Sequence, residues 1–393
     1  MKRIAVVCPD DLSIVLFCKG IIKAFQADRR NKIYVISDIL GENSNAEYVA
    51  LIMSWGVVHI PVRFYRFINP FRDLRYMMSL FSIFRREKID MVVNISTKPN
   101  ILGTIAARFA NVRKITSAVW GMGSAFLDRE EIKFKFLKYL VQHLYCIAFR
   151  LNSKVWFTNE NDYNYFVSQG ILPVQKGVLT KNYVSTDDYS PSLVSDESLS
   201  ALRKELDLKV QDKVVIMVAR MSWAKGVREF VDASAILKQK LPFIKFILVG
   251  PMDEGSLDSI PETYLRESEK NENFRWIGFR NDVKELYAMS DLAVLPSYYR
   301  EGGFPRGLTE PMAMEKPIIT TNSVHCKGTV EDGKNGYLVP IKDSKALADA
   351  IEKLMIDDDK RREFGQYSRK KAVKEFDEKV IVPKVVKEFL GNA

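Results

Sequence analysis

The sequence predicts an α/β protein with two doubly wound parallel sheets, one in each half of the chain. Three observations predict it. Short apolar runs rich in Val and Ile alternate with longer amphipathic runs, the pattern of parallel strands with helices on both faces. The alternation stops over a polar interval rich in Ser and Asp, Thr186 to Ser200, and then restarts. At 393 residues the chain is too long for one small domain, so two is the natural division.

In the first half, strands are expected at Arg3–Cys8, Lys32–Ile36, Val57–Pro61, Asp90–Ile95, Lys114–Val119 and Val155–Thr158. Helices fall between them at Ile14–Gln26, Ala46–Trp55, Asn69–Lys88, Asn100–Phe109 and over residues 130–150. Asn159 caps a further helix that runs to Gly170. Residues 185–200 read as a linker. Second-half strands are expected at Val214–Ala219, Phe246–Val249, Phe274–Ile277, Leu292–Leu295, Ile318–Thr320 and Gly336–Val339. From Asp343 onward the pattern is helical. Pro383 is expected to break the last helix, leaving residues 377–393 to lean back on the first domain. The predicted domains are therefore 1–184 and 201–376, facing each other across a cleft.

Composition narrows the class. Apolar residues make up 47% and aromatics 11%, enough for two cores and unlike a disordered chain. No run of 18 or more uncharged apolar residues occurs, so a spanning helix is not expected. The opening MKRIAVVCPDD reads as a strand, its apolar run too short for a secretory signal. Cys8, Cys18, Cys146 and Cys326 have neither metal nor disulfide spacing and read as free thiols of a reducing cytoplasm. His59, His143 and His325 make no ligand cluster. No metal is expected: Ser290-Asp-Leu292 is not a DxD, and Asp357–Asp359 fits a solvated turn.

The charge is unevenly spread. Residues 1–184 hold 26 Lys and Arg against 14 Asp and Glu, whereas the remainder holds 33 against 35, so the whole positive excess lies in the first half. Those cations are interleaved with aromatics, as in Arg63-Phe-Tyr-Arg-Phe67, Phe71-Arg72, Arg75-Tyr76, Phe84-Arg85-Arg86 and Lys133-Phe-Lys-Phe-Leu-Lys-Tyr139. Basic residues beside exposed aromatics suit an anionic membrane surface. Nucleic acid would suit them too, but no nucleic-acid module stands in the sequence, and no such partner is expected. The competing view is that the aromatics are core and the charges solvate helix faces.

The most informative stretch is Ser297–Ile319, SYYREGGFPRGLTEPMAMEKPII. Leu292–Leu295 reads as a buried strand, so Glu301 lies in the loop beyond its carboxyl end. Glu310 is expected in the first turn of the following helix. In open α/β sheets ligands bind at that edge. Upstream, the Val214–Ala219 strand empties into a loop carrying Arg220, Lys225 and Gly226, and a helix begins near Val227. Two cations over a glycine at a helix N-terminus suit a diphosphate. Alone, these features also describe a solvated loop and a glutamate favoured by the helix dipole.

Five markers stand in order along the second half: ARMSWAKG at 219–226, LVGP at 248–251, GFRNDVKELYAMSDLAVLPS at 278–297, EGGFPRGLTEPMAMEKPII at 301–319 and EDGKNGYLVP at 331–340. In these the sequence resembles the retaining glycosyltransferases of family 4, whose GT-B architecture pairs two Rossmann-like domains. In the first half, STKPNILGTIAA at 96–107 and VWGMGSAF at 119–126 resemble the subgroup that builds bacterial surface polysaccharides, capsules and lipid-linked oligosaccharides. That resemblance implies transfer of a sugar, often an N-acetylated hexose, from a UDP-sugar donor. The acceptor would be a sugar on a polyprenyl diphosphate at the inner face of the cytoplasmic membrane. The UDP-sugar is then a substrate, and no cofactor is needed.

The resemblance also implies roles. Arg220 and Lys225 would hold the donor diphosphate and stabilise the charge developing on the leaving UDP. Glu310 would accept hydrogen bonds from the ribose, and Glu301 would lie near the donor sugar's hydroxyls. Backbone at Gly302, Gly303 and Phe304 would reach the sugar or phosphates, and Arg280 would mark the uracil side. Gly121 and Gly123 would let the first domain approach the diphosphate. Lys98 and Asn100 would lie on the acceptor side.

Two departures from the family pattern matter. The family spacing is E-x7-E, whereas Glu301 and Glu310 are separated by eight residues, with an extra glycine at 302 or 303. A bulge there would leave Glu310 in register and displace Glu301. Many relatives also carry a first-domain histidine near the sugar, where this chain has Val119-Trp120-Gly121. His59 and His143 read as structural, so no dedicated base is visible. Front-face attack, in which the leaving phosphate oxygen takes the acceptor proton, needs none. Alternatives are a transferase using another nucleotide-sugar on a soluble acceptor, and a non-catalytic membrane-associated scaffold of the same fold. A sugar-nucleotide epimerase of this architecture would need cleft carboxylates and histidines that the first half does not offer.

Overall fold

Runs of Val, Ile and Ala too short for a helix become fully buried strands in both halves of the chain. The structure, a computed structural model, describes residues 2–41, 45–122, 126, 131–256 and 258–391, the side chain of Lys133 excepted. It divides into two units, residues 1–181 with 381–393, and residues 182–380.

The first unit's described strands are β1 (Arg3–Asp10), β2 (Lys32–Asp38), β3 (Val58–Pro61), β4 (Met91–Ile95), β5 (Lys114–Val119), β6 (Lys154–Phe157) and β7 (Gly177–Leu179). They form a parallel sheet in the order β3-β2-β1-β4-β5-β6-β7. Helix Pro70–Arg86 turns Tyr76, Leu80, Ile83 and Phe84 onto the sheet, and Asn69 caps it by accepting from the Arg72 N–H at 3.1 Å. Helix Ile132–Leu151 buries Tyr145 and Phe149 against Phe157 and Phe166. Asn159 caps the next helix, accepting from the Asp162 N–H at 2.7 Å. Among the described residues no helix is long and apolar enough to cross a membrane.

The second unit's described strands are β8 (Lys213–Val218), β9 (Ile244–Val249), β10 (Phe274–Trp276), β11 (Leu292–Leu295), β12 (Ile318–Thr321) and β13 (Gly336–Val339). Their order is β10-β9-β8-β11-β12-β13, again parallel. The inner strands β9, β8, β11 and β12 are buried on both faces, which is why their sequences read as nearly continuous apolar runs rather than alternations.

Several expectations are corrected. Residues 185–200 are not a free linker. They hold a 3-10 turn at Pro191–Leu193 and the start of helix Asp196–Glu205, with Tyr189, Val194 and Leu199 packed on the second unit's core. Polar composition hid those three anchors. Pro383 does not break the last helix but sits inside Glu378–Leu390, whose buried Ile381, Val382, Val385 and Phe389 hold it together. The expected helix Ile14–Gln26 is two helices, Asp11–Phe17 and Lys19–Gln26, meeting at Cys18. Residues Pro99–Gly103 form a π-helical turn before helix Thr104–Phe109. Strand β7, three residues long, was too short to announce itself.

Candidate active site

The second sheet reverses its winding between β8 and β11, and ligands of open α/β sheets bind beyond the carboxyl ends at such a point. The loops leaving these two strands carry Arg220 with Lys225, and Glu301. They are pressed together. Gly226 has φ +83°, and a Cβ on it would come within 2.3 Å of the Pro296 carbonyl oxygen, so only glycine fits. Asp258 shapes the first loop, accepting from the Ser222 hydroxyl and from the Ala224 N–H at 3.0 Å. The Tyr298 N–H donates to the Ala224 carbonyl at 2.9 Å, joining the two loops.

This packing brings Lys225 onto Glu301. The ammonium donates to both carboxylate oxygens, at 2.6 and 2.7 Å, and lies 4.9 Å from the Tyr299 ring centre. The Ser297 hydroxyl donates to the same carboxylate at 2.9 Å. The two charged side chains are only 12% and 10% exposed. Arg220 donates to Asp253, beyond β9, at 2.7 Å. Burial alone would pull the Arg220 guanidinium down, but Asp253 and Tyr299 outweigh it and hold it above its ordinary value.

Glu310 lies in the second turn of helix Arg306–Ala313, not the first, because the helix begins only after Pro305. At Gly307 an added Cβ would stand 2.7 Å from the Val218 carbonyl, so this helix start rests on the end of β8. Glu310 is buried, and Arg306 donates to its Oε1 from Nε at 2.6 Å and from Nη2 at 2.5 Å. Tyr189 and Tyr287 face the same carboxylate. Burial first, then Glu310, raises both phenols well above their ordinary range.

The remaining expected residues fall in different surroundings. In the Gly302–Phe304 turn, Gly303 has φ +149°, and a Cβ there would come within 2.2 Å of Asn182. Asn182 donates to the Phe304 carbonyl at 3.0 Å, and the Phe304 ring packs edge-on against Phe376 with centres 5.2 Å apart. Arg280 is bound to Asp282, at 2.8 and 2.6 Å, and to Glu205, at 2.5 and 3.3 Å. In the first unit, Gly121 follows β5 with φ +120°, whereas Gly123 lies outside the described residues. Lys98 spends its ammonium on the carbonyls of Tyr65 and Phe67, at 2.7 and 2.8 Å, and on Asp73 at 2.5 Å. Asn100 is buried and donates to the Ala118 carbonyl at 2.9 Å. His59 is tied to Ser37 at 2.8 Å and Asp11 at 3.2 Å inside the first unit.

Sequence reasoning missed Asp253, Ser297, Tyr299, Arg306, Tyr189, Tyr287 and Asn182. Arg306 was legible, standing four residues before Glu310 on one helix face. Asp253 and Asn182 were not, since only the fold brings them to their partners.

Residues 200–371 match the family model described as "Glycosyl transferases group 1", and residues 16–159 match "Glycosyl transferase 4-like". The chain is 27% identical over 378 residues to the N,N'-diacetylbacillosaminyl-diphospho-undecaprenol alpha-1,3-N-acetylgalactosaminyltransferase of Campylobacter jejuni, covering 96% of this chain and 95% of that one. It is 26% identical over 297 residues to the UDP-Gal:alpha-D-GlcNAc-diphosphoundecaprenol alpha-1,3-galactosyltransferase of Escherichia coli, covering 75% and 73%. The fold matches the crystal structure of Anabaena HepE in complex with UDP and glucose, with a TM-score of 0.77 at 20% identity over all of both chains. With a glycosyltransferase model matching each half and a GT-B fold throughout, the chain is a glycosyltransferase.

Proposed function

We propose that this enzyme transfers a sugar, an N-acetylated hexose, from a UDP-sugar to a polyprenyl-diphosphate-linked sugar in bacterial surface-glycan synthesis. The observation that carries this reading is that Arg220 and Lys225 stand on one loop at the switch point of the second sheet, each held by a carboxylate. The names and coverage of the two lipid-linked-glycan relatives support the acceptor class.

In this reading Arg220 and Lys225 bind the diphosphate and stabilise charge on the departing UDP, with no metal required. Glu310 takes the ribose, Glu301 the donor sugar's hydroxyls, and the 302–304 turn the sugar or phosphates. Arg280 stands on the uracil side. Lys98 and Asn100 act on the acceptor side by holding the Tyr65–Phe67 loop and the end of β5 in place. The anomeric configuration is retained: the acceptor oxygen bonds to the anomeric carbon as the bond to phosphate breaks, and its proton passes to the leaving phosphate oxygen. The enzyme works in the cytoplasm, bound to the inner face of the membrane through the basic first domain.

A donor screen with a defined polyprenyl-diphosphate N-acetylhexosamine acceptor, read by mass, tests this. One added N-acetylhexose from the UDP donor, in the retained configuration and undiminished by EDTA, is expected. Transfer from GDP-sugars alone, or transfer that EDTA abolishes, would overturn the assignment of donor or of metal independence.

A further inference from the structure

Arg306 occupies a position that local rules disfavour. It is the first residue of helix Arg306–Ala313, where the helix dipole favours an anion. Its pair with Glu310 runs cation before anion, the weaker order at this spacing. A residue that loses on local terms and yet fits the fold points to a site. What Arg306 gains is Glu310. Both Nε and Nη2 go to a single carboxylate oxygen, Oε1, at 2.6 and 2.5 Å. An ionised carboxylate has about four acceptor positions; this grip uses two of them, and the Tyr189 and Tyr287 phenols also face the carboxylate. Around the pair, Tyr287 is buried and Tyr189 half-buried, and Gly307 holds the helix start against the end of β8.

We propose that Arg306 is a positioning residue of the donor site, which orients the Glu310 carboxylate so that it accepts hydrogen bonds from the ribose hydroxyls of the nucleotide. The inference rests on the proposed role of Glu310. It adds that ribose recognition is a property of the Arg306–Glu310 pair rather than of the glutamate alone. The planar fork of the guanidinium sets the orientation, which a lysine ammonium does only in part.

The test titrates UDP, 2′-deoxy-UDP and 3′-deoxy-UDP into the full-length protein by calorimetry, beside Arg306→Lys and Arg306→Gln. Wild type is expected to prefer UDP over at least one deoxy analogue by about tenfold or more, the worth of a hydrogen bond to a charged acceptor. Arg306→Lys should narrow that ratio, and Arg306→Gln, with its melting transition intact, should bind UDP and the analogues equally. A generally loosened structure would weaken all three ligands and leave the ratio alone. An unchanged ratio in a folded Arg306→Gln protein overturns the proposal. Should that variant not fold, an unchanged ratio in Arg306→Lys does so. Wild type that binds UDP without discrimination fails at the Glu310 assignment, and wild type that does not bind UDP fails at the donor itself.

Discussion

The Lys225 ammonium sits between both oxygens of Glu301, at 2.6 and 2.7 Å, across the point where the second sheet reverses its winding. A buried pair of this kind has a lopsided energetics. Removing one partner leaves the other charge uncompensated, at about 3–5 kcal/mol, whereas removing both is nearly neutral. The residues expected to bind phosphate and sugar therefore also neutralise one another.

Lys225→Ala should accordingly lower both stability and turnover. We expect a loss of roughly 3–5 kcal/mol in denaturant titration and of about 10²–10³-fold in transfer rate, typical when one preorganised cationic contact is lost. The double variant Lys225→Ala with Glu301→Gln separates the two effects, recovering most of the stability and none of the rate. Recovery of the rate as well would reduce Lys225 to a structural partner of Glu301.

The extra glycine makes a second prediction. Gly303 has φ +149°, and Asn182 stands where its Cβ would be. Gly303→Ala should cost about 1–3 kcal/mol for backbone strain, seen as a lower melting temperature. Asn182→Ala opens the space without relieving φ, so the double variant should remain destabilised. It should also raise the donor KM, because Asn182 carries the Phe304 carbonyl.

Much of this was legible beforehand, for physical reasons. Parallel strands buried on both faces leave uniform apolar runs, and the motif order along the second half placed Arg220, Lys225 and Glu301 on neighbouring loops. What was illegible depended on contacts distant in sequence. Asn182 meets the 302–304 turn, and Asp253 meets Arg220, only once the sheet has formed. The 185–200 interval misled because three apolar anchors, Tyr189, Val194 and Leu199, were diluted in polar sequence. The first-half aromatics divide by helix face: Tyr76 and Phe84 are core, Phe71 and Phe136 exposed, a split that composition blurs.

Acid should reveal a separate tie in the second unit. The Tyr367 hydroxyl and the Lys371 ammonium hold Glu331 down to about 2. With its folded value depressed, Glu331 contributes stability that is fully present above the ordinary glutamate value and lost as pH falls toward about 2. A third of its side chain is solvent-exposed, so the effect is modest. Melting temperatures measured from neutral pH down to pH 2 should fall less steeply in Glu331→Gln than in wild type. Equal slopes would mean that solvent screens the pair completely.

The last prediction concerns the first unit's surface. Phe71, Leu74 and Met78 are 87%, 54% and 52% exposed on helix Pro70–Arg86, and their spacing sets them on one face. Phe67 and Ile68, also exposed, extend the stripe into the preceding loop. Arg66, Arg72 and Arg75 lie beside it, also exposed. An apolar stripe edged by arginines suits an anionic bilayer, where each cation is worth about 1 kcal/mol near the surface. Co-sedimentation of the full chain with vesicles rich in phosphatidylglycerol should exceed that with phosphatidylcholine alone and weaken with salt. Phe71→Ser with Leu74→Ser should reduce binding at all salt concentrations, since it removes buried apolar area. Arg72→Gln with Arg75→Gln should instead flatten the salt dependence. Binding equal to wild type in both pairs of variants would clear this helix of any membrane role and move the search to the exposed Phe136, Tyr139 and Ile147 of helix Ile132–Leu151.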